Sequence, residues 1–401
     1  MYSDHTNALL TINSGSSSLK FALFAVTETG CLQLLYRGQL TAIGGNSQFQ
    51  VSDANGDVLQ KQSTGISNHE QALQILLEWL SKEADWLQLV AVGHRVVHGG
   101  SRFHTPTAVT QEVLDYLQTL IPLAPNHQPP NLLGISILQR LQPSLPQVAC
   151  FDTAFHHNRP EVEQRFALPS HPDLKEVRRY GFHGLSYQYI ASVLPDYLGT
   201  EADGKIIVAH LGHGASLCAM CERHSVATTM TLTPLDGIPM GTRCGAIDPA
   251  VVLYLLQQGM TPDTVSELLY FQSGLLGLSG VSDDMTELLA HPSTQSQFAI
   301  DLFVHHTVRA IGSLAAVLGG VDVLVFTAGI GEHAAPIRAA ICKGCEWLGL
   351  ELDENANHLG RPCITQDKSL VQAWVIATDE ERVIAKQTFA VVNSENSKQR
   401  I

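Results

Sequence analysis

The stretch Asn13-Ser14-Gly15-Ser16-Ser17-Ser18 indicates the fold, because it joins two apolar segments that have the character of β-strands. Ala8–Ile12 leads into this turn and Leu19–Val26 follows it. Lys205–Ala209 leads in the same way into the turn His210–Ser216, which precedes another apolar stretch. Such turns point backbone N–H groups and hydroxyls into a small concavity that suits phosphate oxygens, although a Ser-rich turn can also be purely structural. The repeated plan predicts two similar α/β domains.

Further strands are predicted where apolar segments end in turns, at Leu89–Val97, Val148–Phe151, Val321–Thr327 and Trp374–Ala377. Helices are predicted from apolar periodicity at Glu70–Lys82, Ile300–Leu318 and Arg382–Val392. Strands that alternate with helices indicate an α/β protein. The proline cluster Pro122–Pro130 predicts an ordered surface loop.

The size and charge of the chain restrict what it does. With 401 residues it exceeds one comfortable core, so two domains with a boundary near residue 150 are expected. Its formal net charge of −14 disfavours nucleic acid and anionic membranes as partners. The start, Met1–Asn7, lacks the features of a secretory signal, and no apolar run is long enough to span a bilayer. A cytoplasmic protein is expected.

The eight cysteines are scattered, which is typical of reduced thiols rather than a disulfide framework. Two CxxC pairs, Cys218/Cys221 and Cys342/Cys345, could in principle form a four-thiolate zinc site. However, Leu217–Cys221 has the pattern of a strand, in which residues three apart point to opposite faces. Buried thiols acting as small apolar side chains are the preferred interpretation.

Two arginines are candidates for an anion clamp. Arg95 lies inside an apolar strand that ends at His98-Gly99-Gly100, and Arg243 lies between Gly241 and Gly245. A buried arginine must be paired or must face a ligand site, because an unpaired buried charge is costly. The planar guanidinium suits a carboxylate or a phosphoryl group. A structural ion pair with a carboxylate remains the alternative for both residues.

Polar residues at strand ends complete the candidate site. Asp152 ends an apolar strand, where α/β folds place groups that contact ligands, although a capping role is the alternative. Glu380 and Glu381 also follow a strand, and a carboxylate together with Asn13 could hold Mg²⁺ largely through water. The same acidic pair could instead complement a helix dipole. His183 lies in Tyr180-Gly181-Phe182-His183-Gly184, and a histidine taken alone is more often a structural residue than a catalytic one.

Taken together, the ordered motifs closely resemble the acetate kinase family over essentially the whole chain. They are Asn13–Lys20, Gly93–Gly100, Phe151–His156, Arg179–Gly184, His210–Gly214, Met240–Gly245, Phe326–Glu332 and Thr378–Glu381. The resemblance implies a kinase of the actin and sugar-kinase superfamily that catalyses ATP + acetate ⇌ ADP + acetyl phosphate with Mg²⁺, for which Mn²⁺ can substitute. It implies an α/β fold of two duplicated actin-like (ribonuclease H-like) domains around a nucleotide cleft.

The resemblance also implies a domain arrangement and a homodimer. Residues 1–150 would form the N-terminal domain, with helix 382–401 packing back on it. Residues 151–381 would form the C-terminal domain, which would carry nucleotide binding and dimerisation.

The resemblance assigns a role to each matching position. Asp152, His183 and Arg243 would be catalytic, and Asn13 and Glu380 would hold the metal. Arg95 would bind the substrate, and Val97, Leu123, Phe182 and Pro234 would form its small apolar pocket. The nucleotide would contact Lys20, His210, Leu211, Gly212, His213, Gly214, Asp284, Met285, Thr286 and the turn of Gly329, Ile330, Gly331, Glu332 and His333.

Four departures from the family pattern are visible. His213 stands where the family usually has Asn, and Asp379 replaces an Asn beside the metal carboxylate. Ala227–Thr231 replaces Asp-Thr-Ser-Met-Gly, and Asp284–Thr286 lacks the Arg of an Asp-Phe-Arg string. The changes at His213 and Thr286 put nucleotide affinity and the choice of phosphoryl donor in question.

Two other functions remain open. A propionate or butyrate kinase of the same superfamily is the nearest, and Val97 favours acetate over it, although one methylene gives only ~10–200-fold selection. The other is a weakened paralogue that binds a nucleotide or an acyl phosphate. The retained Arg95, Asp152 and His183 count against that alternative.

Overall fold

The computed structural model describes residues 6–291 and 293–399. The expectation of no secretory signal at Met1–Asn7 falls largely outside these residues, as do the last two positions of the predicted helix 382–401. The chain divides into two compact units: one runs through Ala154 and resumes at Asp379, and the other is Phe155–Thr378.

The first unit is built on an eight-stranded sheet. Its strands are β1 Thr6–Ser14, β2 Leu19–Val26, β3 Leu32–Thr41, β4 Ser47–Asp53, β5 Val58–Thr64, β6 Leu87–Val96, β7 Thr107–Ala108 and β8 Gln147–Phe151. Its helices before Ala154 are α1 His69–Glu83, α2 Gln111–Thr119 and α3 Gln128–Leu141. The strand order is β5-β4-β3-β2-β1-β6-β8-β7.

The second unit contains a five-stranded sheet in the order β11-β10-β9-β12-β13. Its elements begin with α4 Glu161–Gln164, α5 Gly184–Leu198, β9 Lys205–Leu211, β10 Ala215–Cys221, β11 His224–Thr228, α6 Pro249–Gln257 and α7 Pro262–Phe271. They continue with α8 Gly274–Ser279, α9 Met285–Ala290, α10 Thr294–Leu318, β12 Val323–Thr327, α11 Ala328–His333, α12 Ala335–Gly344, α13 Glu354–His358 and β13 Gln372–Val375. The chain then returns to the first unit as α14 Glu380–Gln399.

The five-stranded order of the second sheet recurs within the first sheet, which confirms the predicted duplication. In the first, β3-β2-β1 is an antiparallel meander, and β6 and β8 add in parallel beside β1. In the second, β11-β10-β9 is the meander, and β12 and β13 add in parallel beside β9. The two Gly/Ser turns named above connect the first two strands of each sheet.

Helices cover both faces of the first sheet. Leu10 and Leu23 belong to a core that includes residues of α1 and α3, whereas Phe24 packs with Ala385 of α14. A Cβ on Gly93 of β6 would lie 2.1 Å from Thr388 Oγ1 of α14, so the close approach of this helix requires glycine. Helix α14 is therefore an integral part of the first unit.

The structure corrects the prediction for the proline cluster. Pro129 and Pro130 lie in the first turn of α3, and Gln128 at its start is fully buried. Proline suits this position because the first-turn N–H groups have no helical acceptor and its φ is already helical. Only part of the cluster is irregular, and Ile121–Leu123 is a short 3-10 helix.

The structure also bears on cysteine chemistry and membrane association. All eight cysteines are free thiols, and Cys218, Cys342 and Cys345 are buried. Within the described residues no group of three or more His, Cys, Asp or Glu side chains could hold a metal ion by itself. Over the same residues, no helix is long and apolar enough to cross a bilayer.

Candidate active site

Three polar residues of the first unit lie at the carboxyl ends of neighbouring parallel strands. Asn13 is next to last in β1, Arg95 is next to last in β6, and Asp152 directly follows β8. Since β6 pairs in parallel with both β1 and β8, these residues meet at one edge of the sheet. Open α/β sheets bind their ligands at this edge.

The guanidinium of Arg95 forms hydrogen bonds with both of the other residues. Its Nε and Nη2 donate to Asp152 Oδ2 at 3.0 and 2.5 Å, and its Nη1 donates to Asn13 Oδ1 at 3.2 Å. Glu380, the first residue of α14, brings Oε2 to 3.9 Å from Arg95 Nε. The side chain of Asp152 is 1% exposed and that of Arg95 is 18% exposed. Arg95 therefore forms an ion pair and still reaches the surface of this unit.

Negative charge dominates the cluster. Burial raises the pKa of Glu380 to about 7, and the neighbouring carboxylates of Asp152 and Glu381 add to the rise. Arg95 and Lys20 oppose it. Burial also raises the pKa of Asp152 against the pull of Arg95. Burial disfavours the charge on Arg95, but the nearby carboxylates outweigh burial and raise its pKa above the ordinary value. A cation placed here would offset the excess of carboxylates.

The chemistry of the cluster fits Mg²⁺. Asn13 and Glu380 offer only oxygen donors, which this hard cation prefers. Mg²⁺ retains several waters and usually takes one or two protein carboxylates together with substrate phosphates. A closed cage of protein ligands is therefore not required.

In the second unit, His183 stands immediately before α5 in an unusual backbone conformation. Its φ is 56°, and that of Gly181 two residues earlier is 86°. Left-handed φ values are routine for glycine but costly for histidine. Such strain persists only where surrounding contacts hold it in place.

Two buried side chains hold this segment. His156 Nε2 lies 2.9 Å from the carbonyl oxygen of Phe182, and Arg159 Nη2 donates to that of Tyr180 at 2.9 Å. His156 is fully buried and Arg159 is 3% exposed. A Cβ on Gly181 would lie 2.7 Å from the His156 ring, so the segment packs directly against that imidazole.

The two nitrogens of the His183 imidazole have different surroundings. Its Nδ1 lies 2.8 Å from Ser216 Oγ, and its ring stacks on His210 with centroids 4.2 Å apart. A Cβ built on Gly214 would lie 3.3 Å from His183 Nε2 and 3.5 Å from Arg243 Nη1. Both nitrogens therefore border the same small space above Gly214.

Arg243 lies in an irregular stretch between β11 and α6. Its Nη1 donates to the carbonyl oxygen of Pro234 at 3.0 Å, and the same nitrogen is 3.7 Å from Met240 Sδ. The stretch turns back at Gly245, whose φ is 73°. These two contacts come from a backbone carbonyl and a thioether.

The turn after β9 contains the first departure from the family pattern. Gly212 donates its N–H to the carbonyl of Gly214 at 3.2 Å, which closes the turn. His213 Nε2 lies 2.8 Å from Asp283 Oδ2, and the two side chains are 59% and 43% exposed. This solvent-exposed pair brings a carboxylate close to a turn predicted to contact phosphates.

The Asp284–Thr286 segment has a clear structural role. Asp284 caps α9, and its Oδ1 accepts hydrogen bonds from the backbone N–H groups of Thr286 at 2.7 Å and Glu287 at 3.2 Å. These bonds lower the pKa of Asp284, with the Glu287 N–H as the main cause. Met285 is 3% exposed. The predicted nucleotide contacts of this segment remain predictions.

The predicted turn at Gly329–His333 is a short helix, α11, so that expectation of a turn is corrected. Glu332 Oε1 accepts from the backbone N–H of Ala328 at 2.8 Å and of Thr378 at 3.2 Å. Arg338 is 1% exposed and donates to the carbonyl oxygens of Gly331 and Glu332. The segment follows β12 directly. Its two glycines predict a turn, whereas these local hydrogen bonds stabilise a short helix.

The predicted apolar pocket residues divide between the units. Val97 and Leu123 belong to the first unit, and Phe182 and Pro234 belong to the second. Val97 is 2% exposed and Phe182 is 1% exposed.

In the first unit, Lys20 of β2 is exposed and pairs in register with Asn13.

Sequence reasoning missed the residues that support the site. Asn131 bridges the backbone of the first unit, since its Oδ1 accepts from Val97 N at 3.0 Å and its Nδ2 donates to Ser14 O at 2.7 Å. His156 and Ser216 stand at or beside motifs that the sequence singled out, so the signal was present, but no role was assigned to them. Tyr187 carried no signal, because a tyrosine on a helix is usually core.

Comparison with known proteins is consistent with this geometry. The model of the acetokinase family matches residues 8–386. The acetate kinase of Rhodopseudomonas palustris is 49% identical over 397 residues, which covers 97% of this chain and 99% of that protein.

Two solved structures are also similar. A propionate kinase from Francisella tularensis has a TM-score of 0.88 at 35% identity, covering 95% of this chain and 99% of that one. The acetate kinase of Porphyromonas gingivalis has a TM-score of 0.84 at 34% identity, covering 96% and 100%. Both the sequence and the fold therefore show that this chain belongs to the acetokinase family.

Proposed function

We propose that this protein is an acetate kinase, which reversibly transfers the γ-phosphoryl group of ATP to acetate and yields acetyl phosphate and ADP. The observation that carries the proposal is the near full-length similarity to an acetate kinase at 49% identity. The propionate kinase structure is similar at only 35% identity. The N–H donors of His183 and Arg243 and the acidic cluster around Asp152 are the chemical groups that such a transfer requires.

The acceptor needs little activation. An ordinary carboxyl group has a pKa of about 4, so acetate is already ionised at neutral pH. A general base is therefore not the main requirement. Asp152 is bound by Arg95 through two nitrogens, which suits a carboxylate that orients charges rather than one that removes a proton.

Charge stabilisation is the main task left for the protein. A transferring phosphoryl group passes through a loose transition state whose charge is spread over its equatorial oxygens. N–H donors held in advance stabilise that charge without reorganising during the reaction. His183 Nε2 and Arg243 Nη1 border the same space above Gly214, which supports their role as these donors. Arg95 is proposed to bind the substrate carboxylate.

Asn13 and Glu380 are proposed to hold Mg²⁺, mostly through water, with Mn²⁺ as a substitute. When bound, the metal would neutralise phosphate charge. The chain's own contribution is to orient the oxygen donors. Arg95 does so directly for Asn13 through the 3.2 Å hydrogen bond.

The nucleotide is proposed to contact Lys20, the His210–Gly214 turn, Asp284–Thr286 and the start of α11. Backbone N–H groups of a glycine-containing turn form anion-binding concavities. The apolar pocket is proposed to consist of Val97, Leu123, Phe182 and Pro234. Of these, Val97 limits the room beside the acceptor and favours acetate over longer acids.

A homodimer in the cytoplasm is the proposed form of the protein. Helix α6 supports the dimer, because none of its side chains is buried in the described chain although most are apolar. Leu253 is 60% exposed and Tyr254 is 59% exposed. Apolar patches of this kind usually mark interfaces. The free thiols of all eight cysteines fit a reducing compartment, where ATP is also available.

A hydroxamate assay with acetate, propionate and butyrate, each with ATP and with GTP, tests the proposed function. We expect acyl phosphate formation with the highest kcat/KM for acetate. A higher kcat/KM for propionate than for acetate would identify the protein as a propionate kinase instead. No acyl phosphate from any combination would overturn the enzyme function and leave a protein that only binds its ligands.

A further inference from the structure

A buried row of three hydrogen-bonding side chains lies behind the predicted catalytic histidine. Tyr187 Oη of α5 is 2.6 Å from Ser216 Oγ of β10, and Ser216 Oγ is 2.8 Å from His183 Nδ1. Tyr187 and Ser216 are both fully buried. All three residues belong to the second unit.

The hydrogen atoms in this row can be assigned by counting donors and acceptors. Among the described residues, Ser216 Oγ is the sole hydrogen-bond partner of the Tyr187 hydroxyl, and Ser216 Oγ itself bonds to Tyr187 and His183 alone. Burial raises the pKa of Tyr187 well above its ordinary value, so this hydroxyl keeps its proton. A buried O–H without an acceptor is costly. Tyr187 must therefore donate to Ser216.

The direction of the second bond follows from the first. Ser216 carries one hydroxyl hydrogen, and its oxygen already accepts from Tyr187. The remaining acceptor within reach of this hydrogen is Nδ1 of His183. An imidazole that accepts at Nδ1 carries its proton on Nε2.

We propose that Tyr187 and Ser216 are positioning residues that lock His183 in the tautomer with its proton on Nε2, so that the ring presents an N–H donor beside Arg243. The opposite tautomer would present a lone pair to the same space above Gly214 and would repel a phosphoryl oxygen. This role rests on the proposed function of His183 as a donor to the transferring group. The tautomer itself does not depend on that function.

Stacking supports the same arrangement. The His210 ring lies parallel to that of His183 within 21° and is itself tied through Nδ1 to Ser186 Oγ at 2.8 Å. The His183 ring is thus fixed both in its plane and in its rotation about χ2. This restriction explains how a histidine in a strained backbone conformation keeps a single orientation.

Long-range ¹H–¹⁵N NMR of the full-length protein labelled with ¹⁵N-histidine tests the proposal. Loss of one signal set in His183→Asn assigns the resonances. In the native protein we expect Nδ1 of His183 to be unprotonated and Nε2 to carry the proton. In Ser216→Ala and Tyr187→Phe we expect the form protonated at Nδ1 to appear, because the constraint on Nδ1 is gone.

Kinetics provide the second measurement. Ser216→Ala should lower kcat about tenfold with little change in the KM values for acetate and ATP, which is the loss expected for an interaction made mainly in the transition state. Tyr197→Phe and Ser192→Ala are matched controls on α5, since Tyr197 is 40% exposed and Ser192 bonds to the Tyr189 carbonyl. Both controls should behave as the native protein does. Circular dichroism and Tm establish that each variant is folded.

Two results would overturn the proposal. One is a native His183 that carries its proton on Nδ1. The other is an unchanged tautomer and an unchanged kcat in folded Ser216→Ala. A hydroxamate assay without product would instead contradict the proposed function. It would leave the tautomer assignment unaffected, because the NMR experiment detects the tautomer without any turnover.

Discussion

The carboxylate of Asp152 is bound by the guanidinium of Arg95 through two nitrogens, at 3.0 Å from Nε and 2.5 Å from Nη2 to the same oxygen. Asp152 is almost wholly buried, and Arg95 keeps 18% of its side chain exposed. A pair of this kind contributes little net stability, because both charges lose hydration on folding. Removing only one partner is costly, since it leaves an uncompensated charge in the interior.

We therefore expect Arg95→Met and Asp152→Leu to destabilise the protein individually more than together. Each single change should cost about 2–4 kcal/mol, somewhat less than for a fully buried pair because Arg95 is partly hydrated. The double variant should recover much of that loss, whereas acetyl phosphate formation should be lost in all three. Tm and the denaturant midpoint measure stability, and the hydroxamate assay measures activity. Additive losses in the double variant would mean that the pair is not coupled.

Gly214 is the second critical position, because His183 Nε2 and Arg243 Nη1 both border it. Gly214→Ala would place a methyl group 3.3 Å from Nε2 and 3.5 Å from Nη1. The residue does not need a left-handed φ, so alanine introduces no backbone strain. We expect kcat to fall at least tenfold, since a methyl group would occupy the space where these two donors are proposed to face the phosphoryl group, while Tm should change little.

Gly65→Ala is the matched control for this change. A Cβ at Gly65 would have no heavy atom within 4 Å, and its φ is also outside the left-handed region. This variant should keep both its kcat and its Tm. A Gly214→Ala protein with native kcat would remove the space above Gly214 from the proposed mechanism.

Residues with unusual chemistry in an apolar context could be predicted from the sequence. Asn13 and Asp152 were recognised because polar groups end apolar segments, and the structure places them at neighbouring strand ends. Arg95 was recognised because a charge stood inside a strand pattern. Whether it was paired could not be known, because Asp152 is 57 positions away and only the sheet register brings the two together.

Ordinary-looking residues and elements were missed for physical reasons. Strands β3, β4 and β5 have many half-exposed or exposed positions, so they lack the apolar runs that revealed the central strands. Tyr187 looks like an ordinary core residue of a helix, and His156 lies in a recognised motif whose individual roles the sequence does not assign. Their importance comes from single hydrogen bonds, to Ser216 Oγ and to the Phe182 carbonyl, which no local pattern encodes.

The pair between His213 and Asp283 predicts an effect on the nucleotide alone. His213→Asn should remove the imidazole nitrogen that lies 2.8 Å from Asp283 Oδ2 and leave that carboxylate without this hydrogen bond near the turn predicted to contact phosphates. We expect a higher KM for ATP by up to about fivefold, since the net contribution of one hydrogen bond is about 1 kcal/mol. The values of kcat and of KM for acetate should stay within about twofold.

Asp283→Asn provides the complementary variant, because it removes the negative charge and leaves the imidazole. Its KM for ATP should fall or stay unchanged, and the difference between the two variants should shrink in high salt. Initial rates at 50 mM and 500 mM KCl, with ATP and with GTP as donors, measure this. Equal rises of KM in both variants would contradict an electrostatic role for the pair.

His156 predicts a loss of stability in acid. Burial lowers its pKa to about 3, with the charge of Arg159 as a further cause, whereas an unfolded chain has a histidine pKa of about 6.5. Above pH 6.5 both states are neutral and stability does not depend on this group. Below pH 6.5 the histidine binds a proton in the unfolded state but stays neutral in the native state. The free energy of unfolding therefore falls by up to about 1.4 kcal/mol per pH unit toward pH 3. His94 and His98 add to this loss, because burial lowers their pKa values to about 4 and about 3.

His156→Gln separates this contribution from the others. Glutamine can still donate an N–H to the Phe182 carbonyl, but it does not titrate. Tm measured from pH 8 to pH 5 should therefore fall less steeply in the variant than in the native protein, whatever its Tm at pH 8. His171→Gln is the matched control, since His171 is 58% exposed, and it should keep the native slope. If His156→Gln showed the native slope as well, the buried imidazole would be protonated in the folded protein, and its bond to the Phe182 carbonyl would not require the neutral form.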